Sequence, residues 1–194
     1  MGGYAGHFVT PATTVWAMRV RRPRDEVVEL PEAPRSSVGA PLPRILAQEG
    51  AAVLAYLLET DDPGWDGTDV RVVTTESAEP VALVRFEACR AFSLGPPNDE
   101  AFEGHRLARH GLHPYGAFEV HRSSWIGQLE KMNRVHARHD ASRFDILRHF
   151  IFTFHDSTFE CAAEDLTFTV LTDTSLSAAT ADMLRLLETP EKLG

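Results

Sequence analysis

The sequence predicts an α+β fold: a curved, mostly antiparallel β-sheet, built as a meander plus a C-terminal hairpin, with two or three helices packed against it. Three observations predict it. Short runs of alternating side chains, such as LTFTVLT, recur through much of the chain. Turn-rich stretches such as DDPGWDGTD and ESAEP separate them closely enough for neighbouring strands to pair antiparallel. The clear helical patterns, SSWIGQLEKMNRV and SLSAATADMLRLLE, stand apart from the strand runs and do not alternate with them.

Taken in order, VTPATTVWAMRVR reads as a first strand, with Val15, Ala17 and Arg19 on one face and Trp16, Met18 and Val20 on the other. Residues 21–44 hold Pro23, Pro31, Pro34, Pro41 and Pro43, and so read as a Pro-rich extended surface connection. RILAQEGAAVLAYLLET splits at Gly50 into a short helical turn and a strand from about Ala52 to Glu59. That strand, VRVVTTE and the longer run VALVRFEACRAFSLG make a three-strand antiparallel meander.

Residues 95–116 form a long irregular loop with four glycines, three prolines and three histidines. Loops of this length are uncommon inside compact domains and often carry function. AFEVH is a short strand. The helix after it is capped by Ser123 or Ser124, with Trp125, Ile126, Leu129 and Met132 as its apolar stripe. SLSAATADMLRLLE is a capped C-terminal helix that stops before Pro190.

Between these helices lies HFIFTFHDSTFECAAE, residues 149–164. As one continuous strand it would have no apolar face, because side chains alternate strictly. Folded back at HDST, it sorts. Phe150, Phe152, Phe154, Phe159, Cys161 and Ala163 fall on one side; His149, Ile151, Thr153, His155, Thr158, Glu160 and Glu164 fall on the other. The expected register sets Phe154 opposite Phe159 and Phe152 opposite Cys161, with Asp156 and Ser157 at the turn centre.

A chain of 194 residues is most simply a single domain, 1–194. Its net charge of −9 argues against a nucleic-acid backbone or an anionic membrane as partner. The one basic run, Arg19 to Arg24, is neutralised at once by Asp25, Glu26 and Glu29. Cys89 and Cys161 make neither a disulfide framework nor a zinc pattern, so buried reduced thiols are expected. No apolar run approaches the ~18–20 residues of a membrane span, and the expected location is the cytoplasm. Phosphate-binding glycine loops, a GxSxG elbow and HExxH are all absent from the sequence. NDE and FHDSTFE are dense polar motifs that match none of these signatures.

Eight of the nine histidines lie between His105 and His155, so the polar chemistry sits in the second half of the chain. The leading expectation is a polar small molecule bound by the concave side of the sheet, with or without cofactor-independent acid–base turnover of the isomerase, dehydratase, cyclase or hydrolase type. The candidate catalytic residues are His155, Glu119, Glu160 and Asp156. His155 is the acid or base, Asp156 or Glu160 its orienting group, and Glu119 the complementary carboxylate. Tyr115, Trp125, His121, His105 and Thr153 are the candidate ligand-binding residues. No cofactor is expected. The plainer account is that the hairpin simply has one solvated face, on which His149, Thr153 and Glu164 need no further reason. Two other classes compete: an acidic interaction or accessory protein that binds a protein partner, and a metalloprotein using His105, His110, His113, His136 and His139. Gly111 and Pro114 break any helix that would preset the loop histidines for a metal.

Overall fold

The computed structural model describes residues 25–60 and 72–189. The strand expected at 9–21 and the stop at Pro190 lie outside them. The fold is α+β, with two antiparallel sheets and three helices among the described residues. One sheet holds β2 (Arg44–Gln48), β3 (Gly50–Leu57), β4 (Val81–Cys89) and β9 (Asp165–Leu171), in that order. The other runs β1 (Glu26–Glu29), β6 (Ala117–His121), β7 (Arg148–Thr153), β8 (Thr158–Ala163) and β5 (Ala91–Gly95). The helices are α1 (Ser124–Asn133), α2 (Ser142–Asp145) and α3 (Leu176–Glu188).

The sheets pack face to face. Leu54, Tyr56, Val84 and Phe86 of the first meet Phe150, Phe152, Phe154, Phe159 and Cys161 of the second. The Phe86 ring lies 5.3 Å from that of Phe159, 5.9 Å from Phe150 and 6.0 Å from Phe152. Tilted and edge-on contacts at these spacings suit the ring quadrupoles. On its outer side the four-stranded sheet buries Val53, Ala55, Leu57, Val81 and Leu83 beneath Leu176, Ala179, Met183 and Leu187 of α3. β3 and β4 are therefore covered on both faces, which is why AAVLAYL and VALV read as unbroken apolar runs.

Several expectations are corrected. Residues 44–48 form a strand, not a helical turn. Gly50, at φ 85°, reverses the chain so that Arg44 to Gln48 pair with Ala51 to Ala55. β2 thus supplies the third strand of the meander, and residues 72–76 of VRVVTTE carry no strand. The run 81–95 is two strands. Beyond Ala88, at φ 47°, the chain crosses from one sheet to the other, and Arg90 N–H donates to Ala162 O at 2.8 Å. Within the Pro-rich stretch, the proline-free residues 26–29 form edge strand β1. In α1, Met132 is 72% exposed, so the apolar stripe covers less of the core than its spacing suggests.

The hairpin exists, with a register two residues from the expected one: Phe152 opposes Phe159 and Phe150 opposes Cys161. Phe154 N–H donates to Ser157 O at 2.8 Å, so His155 and Asp156 form the tip. An offset of two leaves every side chain on its expected face. The polar face, however, is mostly covered, and only its ends, His155 and Glu164, stay half-exposed. The loop 95–116 folds over it, and Phe102, Leu107 and Leu112 pack on Phe118, Val120 and Ile151. His149, Thr153 and Thr158 are buried as a result.

Candidate functional site

β6 leaves the sheet at His121, the chain turns sharply at Arg122 (φ 55°), and Ser123 caps α1. Ser123 Oγ accepts the N–H of Ile126 at 3.2 Å, the bond an N-cap needs. Its own proton points the other way, toward His149 Nδ1 at 2.9 Å. His149 sits on β7 opposite Ala162, which makes Glu160, two residues back on β8, its diagonal neighbour on the same face. His149 Nε2 lies 2.8 Å from Glu160 Oε2. A carboxylate only accepts, so the ring proton is on Nε2 and Nδ1 is free to take the serine proton.

Glu160 is surrounded by donors. His105 accepts Leu107 N–H on Nδ1 at 3.1 Å, so its Nε2–H is the one facing Glu160 Oε1 at 3.3 Å. Arg106 pairs with the other oxygen. Burial alone would raise the Glu160 carboxyl, but the His105 and His149 bonds and the Arg106 charge outweigh it and hold the group well below the usual carboxylate range. His149, with a side chain 0% exposed, moves the other way for a base: burial lowers it against the opposing pull of Glu160, leaving a neutral imidazole. Trp125 presses edge-on against that ring at 4.8 Å between centroids.

Ser123 also lines a cleft of about 680 Å³, together with Glu119, His121, Glu130, Arg134 and Arg148. Arg148 bonds Glu119 at 2.6 Å and Asp165 at 2.7 Å, while His121 stands 3.6 Å from Glu119. Across the cleft, Arg134 chelates Glu130 at 2.6 and 2.7 Å, and His139 Nε2 reaches the same carboxylate at 2.8 Å. The Arg134 bond lowers the Glu130 carboxyl, and the Glu119 bond raises Arg148, so these groups are charged at neutral pH.

A second polar group lies at the hairpin tip, where the motifs NDE and FHDSTFE meet. His155 Nδ1 donates to Asp99 Oδ2 at 2.9 Å, and Tyr115 donates to the same oxygen. The Tyr115 hydroxyl is 3.1 Å from His155 Nδ1, and Tyr115 sits at φ 61°. Hydrogen bonds from Tyr115 and His155 lower Asp99, while Asp99 in turn raises His155 and pushes Tyr115 up to about 12.

The expected site residues therefore divide. Glu160, His105 and Trp125 gather around His149. Glu119 and His121 line the cleft. His155 and Tyr115 gather around Asp99, and Asp99 stands where Glu160 or Asp156 was expected to orient His155. Asp156 is 3.9 Å from His155 Nε2 with a side chain 85% exposed. Thr153 is a latch: it donates to His113 O and accepts Gly116 N–H, both at 2.9 Å, tying the loop to β7. Sequence reasoning missed His149, Ser123, Arg106, Arg148 and Asp99. The signal for His149 was present, since it shares a face with Glu160, but the expected register paired it with Glu164. Arg106 and Asp99 lie on the long loop, and nothing in the local pattern shows where that loop closes.

The other described histidines are dispersed. His110 Nδ1 meets Asp25 O at 3.2 Å, and His113 packs its ring against Phe118. Among the described residues, no group of three His, Cys, Asp or Glu side chains is arranged to hold a metal ion, and no helix is long and apolar enough to cross a membrane. No family model, curated protein or solved structure matches the chain.

Proposed function

We propose that the chain binds a polar small molecule in the cleft between β6 and α1 and carries out cofactor-independent acid–base chemistry on it. The observation that carries this reading is the hydrogen-bonded row Ser123–His149–Glu160, with links of 2.9 and 2.8 Å, one end of which lines the cleft. A neutral buried imidazole takes a proton at Nδ1 because Glu160 stabilises the resulting imidazolium through Nε2–H. The cleft presents Arg134 and Arg148 together with Glu119 and Glu130, so it favours a zwitterionic or hydroxylated ligand over an apolar one.

Gly127 provides the test. It lines the cleft on α1, and a Cβ there meets nothing within 4 Å. Gly127→Leu therefore fills the cleft while improving helix propensity by up to about 1 kcal/mol. Thermal-shift screening of amino acids, hydroxy acids and sugar acids is expected to find one class that raises Tm in the native protein. Gly127→Leu should lose that shift without lowering its own Tm. Absence of any shift across these classes, or a shift that survives Gly127→Leu, would count against the cleft.

A further inference from the structure

We propose that Ser123 is a nucleophile, and that the cleft takes short, polar carboxylic esters which are cleaved through an acyl-serine intermediate. This rests on the cleft being the binding site. Capping alone does not explain the geometry. An N-cap serine needs only a lone pair for the Ile126 N–H, and that bond is present at 3.2 Å. The hydroxyl proton is committed separately to His149, a buried imidazole set against a carboxylate only 16% exposed. Burying such a pair is costly, and the cap does not require it.

The backbone agrees. A strand, one residue at φ 55°, then Ser123 and a ten-residue helix make a tight strand-to-helix reversal that holds Oγ at the positive end of α1. Ser123 itself is at φ −53°, so the sharp turn at Arg122, and not strain at the serine, carries Oγ to the start of the helix. Either imidazole nitrogen serves as the base when the other is protonated and paired, so the use of Nδ1 here is chemically equivalent to the use of Nε2. Asp25 accepts the N–H of Ser124 at 2.5 Å and its hydroxyl at 2.8 Å. That amide is therefore taken, and Arg134 and Arg148, which line the same cleft, are each paired with a carboxylate.

The steps balance without any co-reactant but water. Ser123 Oγ attacks the ester carbonyl carbon as its proton passes to His149 Nδ1. The tetrahedral adduct collapses, the C–O bond to the leaving alkoxide breaks, and His149 returns the proton to it, giving a free alcohol and an acyl-serine. Water then gives its proton to Nδ1 and adds to the acyl carbon. Oγ leaves, takes the proton back, and the carboxylic acid is released. Throughout, Glu160 holds Nε2–H and neutralises the transient imidazolium.

Incubation of the whole chain with diisopropyl fluorophosphate, followed by intact and peptide mass spectrometry, tests this directly. One adduct per chain, mapped to Ser123, is expected. Glu160→Gln should slow its formation by about 100-fold or more, because the base His149 loses the carboxylate that fixes its tautomer and stabilises its imidazolium. Ser123→Asn should abolish it while keeping a side chain that caps α1, so loss of the nucleophile is separated from loss of the helix. Gly127→Leu should suppress labelling by closing the cleft. A folded native protein with no adduct, or an adduct on another residue that persists in Ser123→Asn, overturns the proposal. If labelling is absent while a ligand-induced Tm shift remains sensitive to Gly127→Leu, the nucleophile is lost and the binding cleft stands. Labelling at Ser123 that is indifferent to Gly127→Leu overturns substrate entry through the cleft.

Discussion

Glu160 shows how one side chain can hold three elements. Its two oxygens receive His149 from β7 and His105 and Arg106 from the long loop, with its side chain 16% exposed. Glu160→Ala leaves those donors without an acceptor and is expected to cost about 2–4 kcal/mol, read by guanidinium denaturation. The pH dependence has a definite sign. Folded His149 is depressed below its ordinary value of about 6.5, and folded Glu160 below about 4.3, so in acid the unfolded chain binds more protons. The stability each contributes is complete above its ordinary value and is lost as pH falls. His155 has the opposite sign, because Asp99 raises it: its contribution is complete below about 6.5 and fades as pH rises through the raised value. With a side chain 42% exposed, His155 is the smaller partner in this balance. The denaturation midpoint should therefore fall in two stages below pH 6.5, and Glu160→Ala should shrink the more acid stage. A midpoint that rose toward pH 4 would contradict the arrangement of charges around Glu160. At this scale the sequence showed which ionisable groups share a face, but not which of them touch, because contact depends on register and on a loop whose closure has no local pattern.

At the level of elements, the hairpin was legible because its two faces differ so sharply in polarity. Its register was not, because moving the turn by one residue changes the pairing by two and leaves both faces intact. β2 was misread for a related reason: RILAQ has good helix formers, and only its pairing with β3 across Gly50 makes it a strand. The join between loop and β6 is specified by Gly116. A Cβ there would lie 2.6 Å from the Phe118 ring, and Phe118 is buried among Phe102, Leu107 and Leu112. The ring cannot move freely in that cluster, so Gly116→Ala is expected to cost about 1–3 kcal/mol. The neighbouring bond from Gly116 N–H to Thr153 Oγ1 should loosen with it. Hydrogen exchange at residues 113–118 checks the local effect: faster exchange there, with β3 and β4 unchanged, is the expected result. A Tm equal to that of the native protein would show that the loop adapts at no cost.

Over the whole molecule, the division into two sheets was hidden because VALVRFEACRAFSLG carries no proline or glycine where it crosses from one sheet to the other. The crossing sets β4 and β5 in different layers and brings Cys89, at the end of β4, to Cys161 on β8, with 3.5 Å between the sulfurs. Both cysteines are free and buried. The hydrogen bond to Cys161 lowers the Cys89 thiol, while burial raises Cys161, so any thiolate in this pair forms on Cys89. Cys161 belongs to the inter-sheet cluster with Phe86, Phe150 and Phe159, so a reagent reaches it only when the two sheets part. Its reactivity consequently measures whether the sandwich opens as one unit. In native buffer, labelling of Cys161 by Ellman's reagent should be far slower than that of a free thiol. Along a denaturant series it should accelerate in step with the loss of far-ultraviolet circular dichroism. Cys89→Ala removes the more ionised partner and isolates the Cys161 signal. Fast labelling of Cys161 while the dichroism is still native would show that β5, β7 and β8 separate from β4 before the rest unfolds, and that the faces joined through Phe86 are not one cooperative core.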